Sequence, residues 1–146
     1  MNFDPQNFAT ALLQATPDAV VYADAAGRIR FWNPAAERIF GFAAAEALGQ
    51  SLDIIIPEFL RARHWEGFET TMRTGQTKYG AGELLAVPAI RKDGSRLSVE
   101  FTVVAFHDAA GAMAGIAATL RDVTARFEET RALRGRLAAM EGRGLA

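Results

Sequence analysis

The sequence predicts an α+β domain, and three observations carry that prediction. Apolar and polar residues alternate in two stretches near the start and three near the end, while the apolar residues between them recur at helical spacing. Turn residues punctuate the alternating stretches at Asp24-Ala25-Ala26-Gly27, at Lys92-Asp93-Gly94 and from His107 to Gly111. Between the two groups of strands, Pro57 to Gly75 reads as one long helix. Proline suits its first turn, Glu58 complements the dipole, and Thr74-Gly75 provides the stop.

Each element follows from local chemistry. Pro5 to Ala15 carries Phe8, Leu12 and Leu13 at helical spacing before Thr16-Pro17-Asp18 breaks the pattern. Ala19 to Ala23 is a β-type run, and Arg28 to Asn33 is its returning partner, with Ile29 and Phe31 expected inward against Arg28 and Arg30. Asn33-Pro34 opens a helical turn, with Asn33 as the cap, Ala36, Ile39 and Phe40 on the buried side and Gly41 at the end. Phe42 to Ile56 reads as short helical pieces broken at Gly49, with Ser51 as a cap.

After the long helix the period returns to two. Lys78 to Ile90 is read as a strand that starts at Gly80-Ala81-Gly82, and Pro88 puts part of it at an edge or a bulge. Leu97, Val99, Phe101, Val103 and Ala105 alternate with Ser98, Glu100 and Thr102, giving a strand that is apolar on one face. Met113 to Asp122 follows, with Ile116, Ala118 and Leu120 inward, while His107 belongs to a solvated turn. From Thr124 the chain turns helical and charged, and Val123, Phe127, Thr130, Leu133, Leu137 and Met140 form a stripe near heptad spacing that suits a dimer seam.

Composition narrows the function. The 146 residues, half of them apolar, suffice for one domain with a core. Sixteen basic against seventeen acidic residues give a formal net charge of −1, so no electrostatic footprint points to nucleic acid or an anionic membrane. The chain has no cysteine, which excludes disulfides, thiolate metal sites and cysteine nucleophiles. No apolar run approaches the roughly twenty residues of a spanning helix, and the start lacks a basic signal-peptide region, so a cytoplasmic location is expected. No nucleophile spacing or phosphate-cradling glycine loop is visible, so no enzyme activity is expected.

One residue stands out. Leu60, His64, Phe68 and Met72 recur at intervals of four on the long helix, with charged residues largely opposite, so His64 is expected to point inward. Gly67, three residues on, is expected to remove a side chain beside the imidazole. Such a histidine is either a neutral core residue bonded to a carbonyl or a ligand for a metal or cofactor.

The chain resembles a PAS domain of the S-box kind over roughly residues 8 to 126. The resemblance is carried by Pro17-Asp18-Ala19-Val20-Val21-Tyr22, the Asp24 to Ile29 hairpin, Phe31-Trp32-Asn33-Pro34-Ala35-Ala36-Glu37 with Phe40-Gly41, and Gly49-Gln50. Arg91-Lys92-Asp93-Gly94-Ser95 and Leu120-Arg121-Asp122-Val123-Thr124 complete the set. The resemblance implies a five-stranded antiparallel sheet with helices on one face. It divides the chain into a flanking helix at 1–16, the PAS domain at 17–123 and an amphipathic helix at 124–146. Any ligand would lie between the long helix and the inner face of the sheet.

Within that family, Pro57 to Gly75 is similar to the haem-binding oxygen sensors of FixL type, and His64 falls at their axial histidine. The similarity implies haem b held by His64, the metal ligand, and lined by Leu60, Gly67, Phe68, Met72, Leu97, Phe101, Val103 and Ile116. Lys78 takes a propionate-side position, with Arg61 and Arg73 as further cations. Leu84 or Leu85 stands where those sensors place an arginine toward bound oxygen, which favours carbon monoxide over oxygen, with nitric oxide a third candidate. A flavin photoreceptor is excluded, because its reactive cysteine has no counterpart. The alternative is a cofactor-free PAS module that takes an apolar small molecule or serves dimerisation. In either case a homodimer through the flanking helices is expected.

Overall fold

The computed structural model describes residues 2–76 and 85–144. The elements run α1 (Pro5–Ala15), β1 (Ala19–Asp24), β2 (Ile29–Trp32), α2 (Pro34–Phe40), α3 (Ala44–Ala47), a 3-10 turn (Leu52–Ile55), α4 (Glu58–Thr74), β3 (Leu85–Ile90), β4 (Arg96–His107), β5 (Met113–Asp122) and α5 (Thr124–Gly144). The five strands form one antiparallel sheet in the order β2-β1-β5-β4-β3, so the first hairpin joins the last strand at the centre. Pro88 lies on β3, an edge strand, where a missing N–H costs no ladder bond on the open side.

Register fixes which residues share the inner face. Val21 stands opposite Ala118, Ala19 opposite Leu120, Phe101 opposite Leu120, Val103 opposite Ala118, and Leu85 opposite Phe101. The core is built on this face, where Val21, Ile29, Leu97, Val99 and Leu120 pack with Trp32, Phe40, Ala47 and Ile55. The β1–β2 register shifts between Tyr22 and Ala23, and this corrects one expectation. Trp32 pairs with inward Val21 and is buried, whereas Phe31 pairs with Tyr22 on the opposite face and is half-buried. One extra residue in a strand reverses the alternation beyond it.

Asn33 ties the first third of the chain together. Its Oδ1 accepts from Val20 N at 2.9 Å and Ala36 N at 3.0 Å, and its Nδ2 donates to the carbonyls of Leu13 at 2.9 Å and Asp18 at 3.1 Å. It is fully buried, so a residue expected only as a helix cap also joins α1, β1 and α2. At the other end, Val123 N donates to Ser98 O at 2.9 Å, Ser98 N donates to Thr124 Oγ1 at 3.0 Å, and Arg126 pairs with Glu100. These bonds fasten the start of α5 to β4. Beyond them, Phe127, Leu133, Leu137 and Met140 are all exposed. No helix among the described residues is long and apolar enough to cross a membrane.

Candidate functional site

α4 is set between Pro57, buried at its N-cap, and Gly75, whose φ of +73° lets the chain leave the last turn in a left-handed conformation. The helix lies against β5. Leu60, His64, Phe68 and Met72 are all half-buried, so the expected stripe does face inward. The buried arc is wider than that stripe, however. Successive steps of four drift by about 40° on an α-helix, so the covered face also takes in Arg61, Trp65 and Thr71. Thr71 is the buried residue of α4, its hydroxyl turned back onto Gly67 O at 3.0 Å.

Three aromatic rings meet in the middle of the helix. The His64 and Trp65 rings lie edge-to-face at 4.7 Å, Trp65 and Phe68 at 5.1 Å, and His64 and Phe68 tilted at 6.0 Å. His64 Nδ1 is buried and has no hydrogen-bond partner among the described residues. Desolvation pushes the imidazole pKa down, and the Asp53 carboxylate opposes this only in part. The ring is therefore held neutral with an unused buried nitrogen, and the expectation of a core histidine bonded to a carbonyl is not met at that atom.

The strand residues assigned to the site share the inner face but differ in cover. Leu97 is 2% exposed and belongs to the closed core with Val99, so it does not border open space as expected. Leu85, Phe101, Val103 and Ile116 are half-buried, and register places Leu85 beside Phe101 and Val103 beside Ala118. The inner face is thus sealed at one end and incompletely covered at the other.

Two further expectations are corrected. Gly67 is exposed, and a Cβ there would meet nothing within 4 Å, so it relieves no crowding. It sits about 60° round the helix from His64, on the side away from Trp65 and just outside the buried arc. Arg61 is not a free rim cation, because Nε donates to Ile56 O at 3.0 Å and Nη2 to Asp53 O at 3.4 Å. Arg73 is exposed. Lys78, Leu84 and the first part of the strand expected from Lys78 lie outside the described residues. His107 ends β4 exposed, with its ring beside Gly75.

Trp65 and Asp53 were missed by sequence reasoning. The indole Nε1 donates to Asp53 Oδ1 at 2.7 Å, and the ring lies over Gly27, where a Cβ would fall 2.3 Å from Trp65 Cη2. A glycine with a second reason for being glycine was the available signal, but nothing local to Gly27 says what approaches it. No group of three or more His, Cys, Asp or Glu side chains that could hold a metal ion occurs among the described residues.

The PAS fold family matches the chain over residues 8–123. The chain belongs to this family. Among relatives of this PAS domain, the sensor protein FixL of Bradyrhizobium diazoefficiens is 32% identical over 93 residues, covering 64% of the chain and 18% of that protein. The oxygen sensor protein DosP of Escherichia coli is 31% identical over 75 residues, covering 51% of the chain and 9% of that protein. The chain therefore spans less than a fifth of the length of these relatives. Among solved structures, the PAS domain of a protein from Colwellia psychrerythraea is similar with a TM-score of 0.72 at 20% identity, covering 83% of this chain and 98% of that one. At that identity the likeness speaks for the fold.

Proposed function

We propose that this PAS domain is a sensory domain that holds haem b through His64 and responds to a diatomic gas or to redox state. The observation that carries the reading is the buried, unpartnered His64 Nδ1 on an imidazole kept neutral by desolvation. A neutral ring with a free nitrogen lone pair is the form that ligates iron, and half-buried Phe68, Met72, Phe101, Val103 and Ile116 suit an apolar macrocycle. When bound, haem would supply an iron centre able to take up carbon monoxide, nitric oxide or oxygen. Relatives named as a sensor protein and an oxygen sensor protein support the same class of signal.

The protein's own residues would act in three ways. His64 holds the iron. The apolar strand residues exclude water, and among the described ones Leu85, Phe101, Val103 and Ile116 offer no side-chain hydrogen-bond donor to a ligand. Signal would leave through β4, to which α5 is fastened at Ser98 and Glu100. The half-buried apolar face also supports a second reading, a pocket for an apolar small molecule without iron.

The test is haemin titration with an absorption spectrum, run beside His64→Ala. Stoichiometric binding with a sharp Soret band that His64→Ala shifts or abolishes is expected. No Soret band, or an unchanged one in His64→Ala, overturns haem ligation. Thermal stabilisation by apolar compounds in its place would favour the second reading.

A further inference from the structure

We infer that Trp65 is the positioning residue for His64: its indole, locked onto Asp53 and Gly27, sets the roll of α4 and with it the direction of the imidazole. The inference rests on the proposed role of His64 only where haem binding is read out. Apart from its buried apolar face, little else fixes that roll. The N-cap Pro57 offers no side-chain cap bond, and the hydroxyl of buried Thr71 is spent within the helix on Gly67 O. Among the described residues, the hydrogen bonds from α4 side chains to the preceding segment come from Arg61 and Trp65, and both reach Asp53. Arg61 takes the Asp53 carbonyl, and Trp65 takes the carboxylate at 2.7 Å.

The indole is held on its remaining sides as well. Its six-membered edge fills the space above Gly27, a residue at φ +78° in the β1–β2 turn whose carbonyl accepts from Leu52 N at 3.2 Å. Hairpin, 3-10 turn and helix thus meet at one ring. Trp65 immediately follows His64 and lies edge-on to it at 4.7 Å, at an interplanar angle of 77°. A rotation of α4 that moved the imidazole would drive the indole into the Gly27 backbone or pull it off Asp53.

The test compares Asp53→Ala with Asp53→Asn in the cofactor-free protein, by NMR of the His64 ring at a single pH. Both variants remove the charge near His64, but only asparagine keeps an oxygen to accept from the indole. With the charge absent from both, the His64 ring signals of Asp53→Ala are expected to differ from those of Asp53→Asn. A purely structural role would lower Tm in Asp53→Ala without moving the ring. Trp65→Phe is the second variant, for use if Asp53→Ala does not fold, and is expected to change the contacts between the His64 and Phe68 rings. In haemin titrations Asp53→Ala and Trp65→Phe are expected to weaken binding about tenfold, the lower end for an outer-shell partner, while Asp53→Asn does not. His64 ring signals in Asp53→Ala that coincide with those of Asp53→Asn, or unchanged ring contacts in Trp65→Phe, overturn the inference. Failure of the parent protein to bind haemin overturns the proposed function instead and leaves the NMR comparison decisive.

Discussion

Replacing Asn33 by alanine should cost about 3–4 kcal/mol. The side chain makes four hydrogen bonds at 2.9–3.1 Å from a fully buried position, and a typical net value is about 1 kcal/mol each. The Ala36 N–H, buried in the first turn of α2, is left without an acceptor, which keeps the loss from falling far below the sum. The carbonyls of Leu13 and Asp18 are on half-buried residues that water can reach, which keeps it from rising above. Urea unfolding should show a lower midpoint with the slope unchanged, and Tm should fall by roughly 6–15 °C for a domain of this size. Asn33→Asp sharpens the test. It retains an acceptor for Val20 and Ala36 but turns a second oxygen toward two carbonyls, and burial there raises its pKa. Its deficit should be largest at neutral pH and shrink as pH falls through that raised value. A loss under about 1 kcal/mol in Asn33→Ala would refute the view of Asn33 as the tie between α1, β1 and α2.

Three further outcomes are expected. Because burial depresses the His64 pKa below its unfolded value, the cofactor-free protein should keep its full His64 contribution above the unfolded pKa and lose stability as pH falls toward the folded one; His64→Gln should flatten that part of a stability-against-pH curve measured by urea unfolding. With haem bound, carbon monoxide affinity should be high and oxygen affinity low, and Leu85→Arg, by adding a charged hydrogen bond of about 1.5–3 kcal/mol, should raise oxygen affinity roughly ten- to a hundredfold in gas titrations. If α1 and α5 pair in a homodimer through exposed Phe8, Leu12, Phe127 and Leu133, light scattering at tens of micromolar should give twice the chain mass, and Leu133→Arg should halve it.

Much of the fold was legible because its signals are local. The alternation from Leu97 to Ala105, the Asp93-Gly94 turn and the Asn33-Pro34 cap each act over a few residues, and each element formed where they place it. Phe31 went the wrong way because the irregularity between β1 and β2 belongs to a pair of strands, and neither strand alone carries it. At the site, His64 was legible from helical spacing and from family resemblance together. Gly67 was misplaced because strict steps of four drift around a helix, and the drift favours the Trp65 side. Trp65 itself stayed hidden, since its partners Gly27 and Asp53 lie in other elements and only tertiary structure brings them together.

The fastening of α5 to β4 makes the helix a lever. Its root is pinned through Ser98 and Glu100, residues that alternate along one strand with Leu97, Val99 and Phe101 of the inner face. Twenty-one residues at 1.5 Å each give an arm about 30 Å long, so a tilt of about 5° at the root sweeps the far end through roughly 3 Å. A displacement too small to disturb packing at Phe101 becomes, at Met140, comparable to the offset between two side chains. The strand acts as fulcrum, and the length of α5 sets the gain.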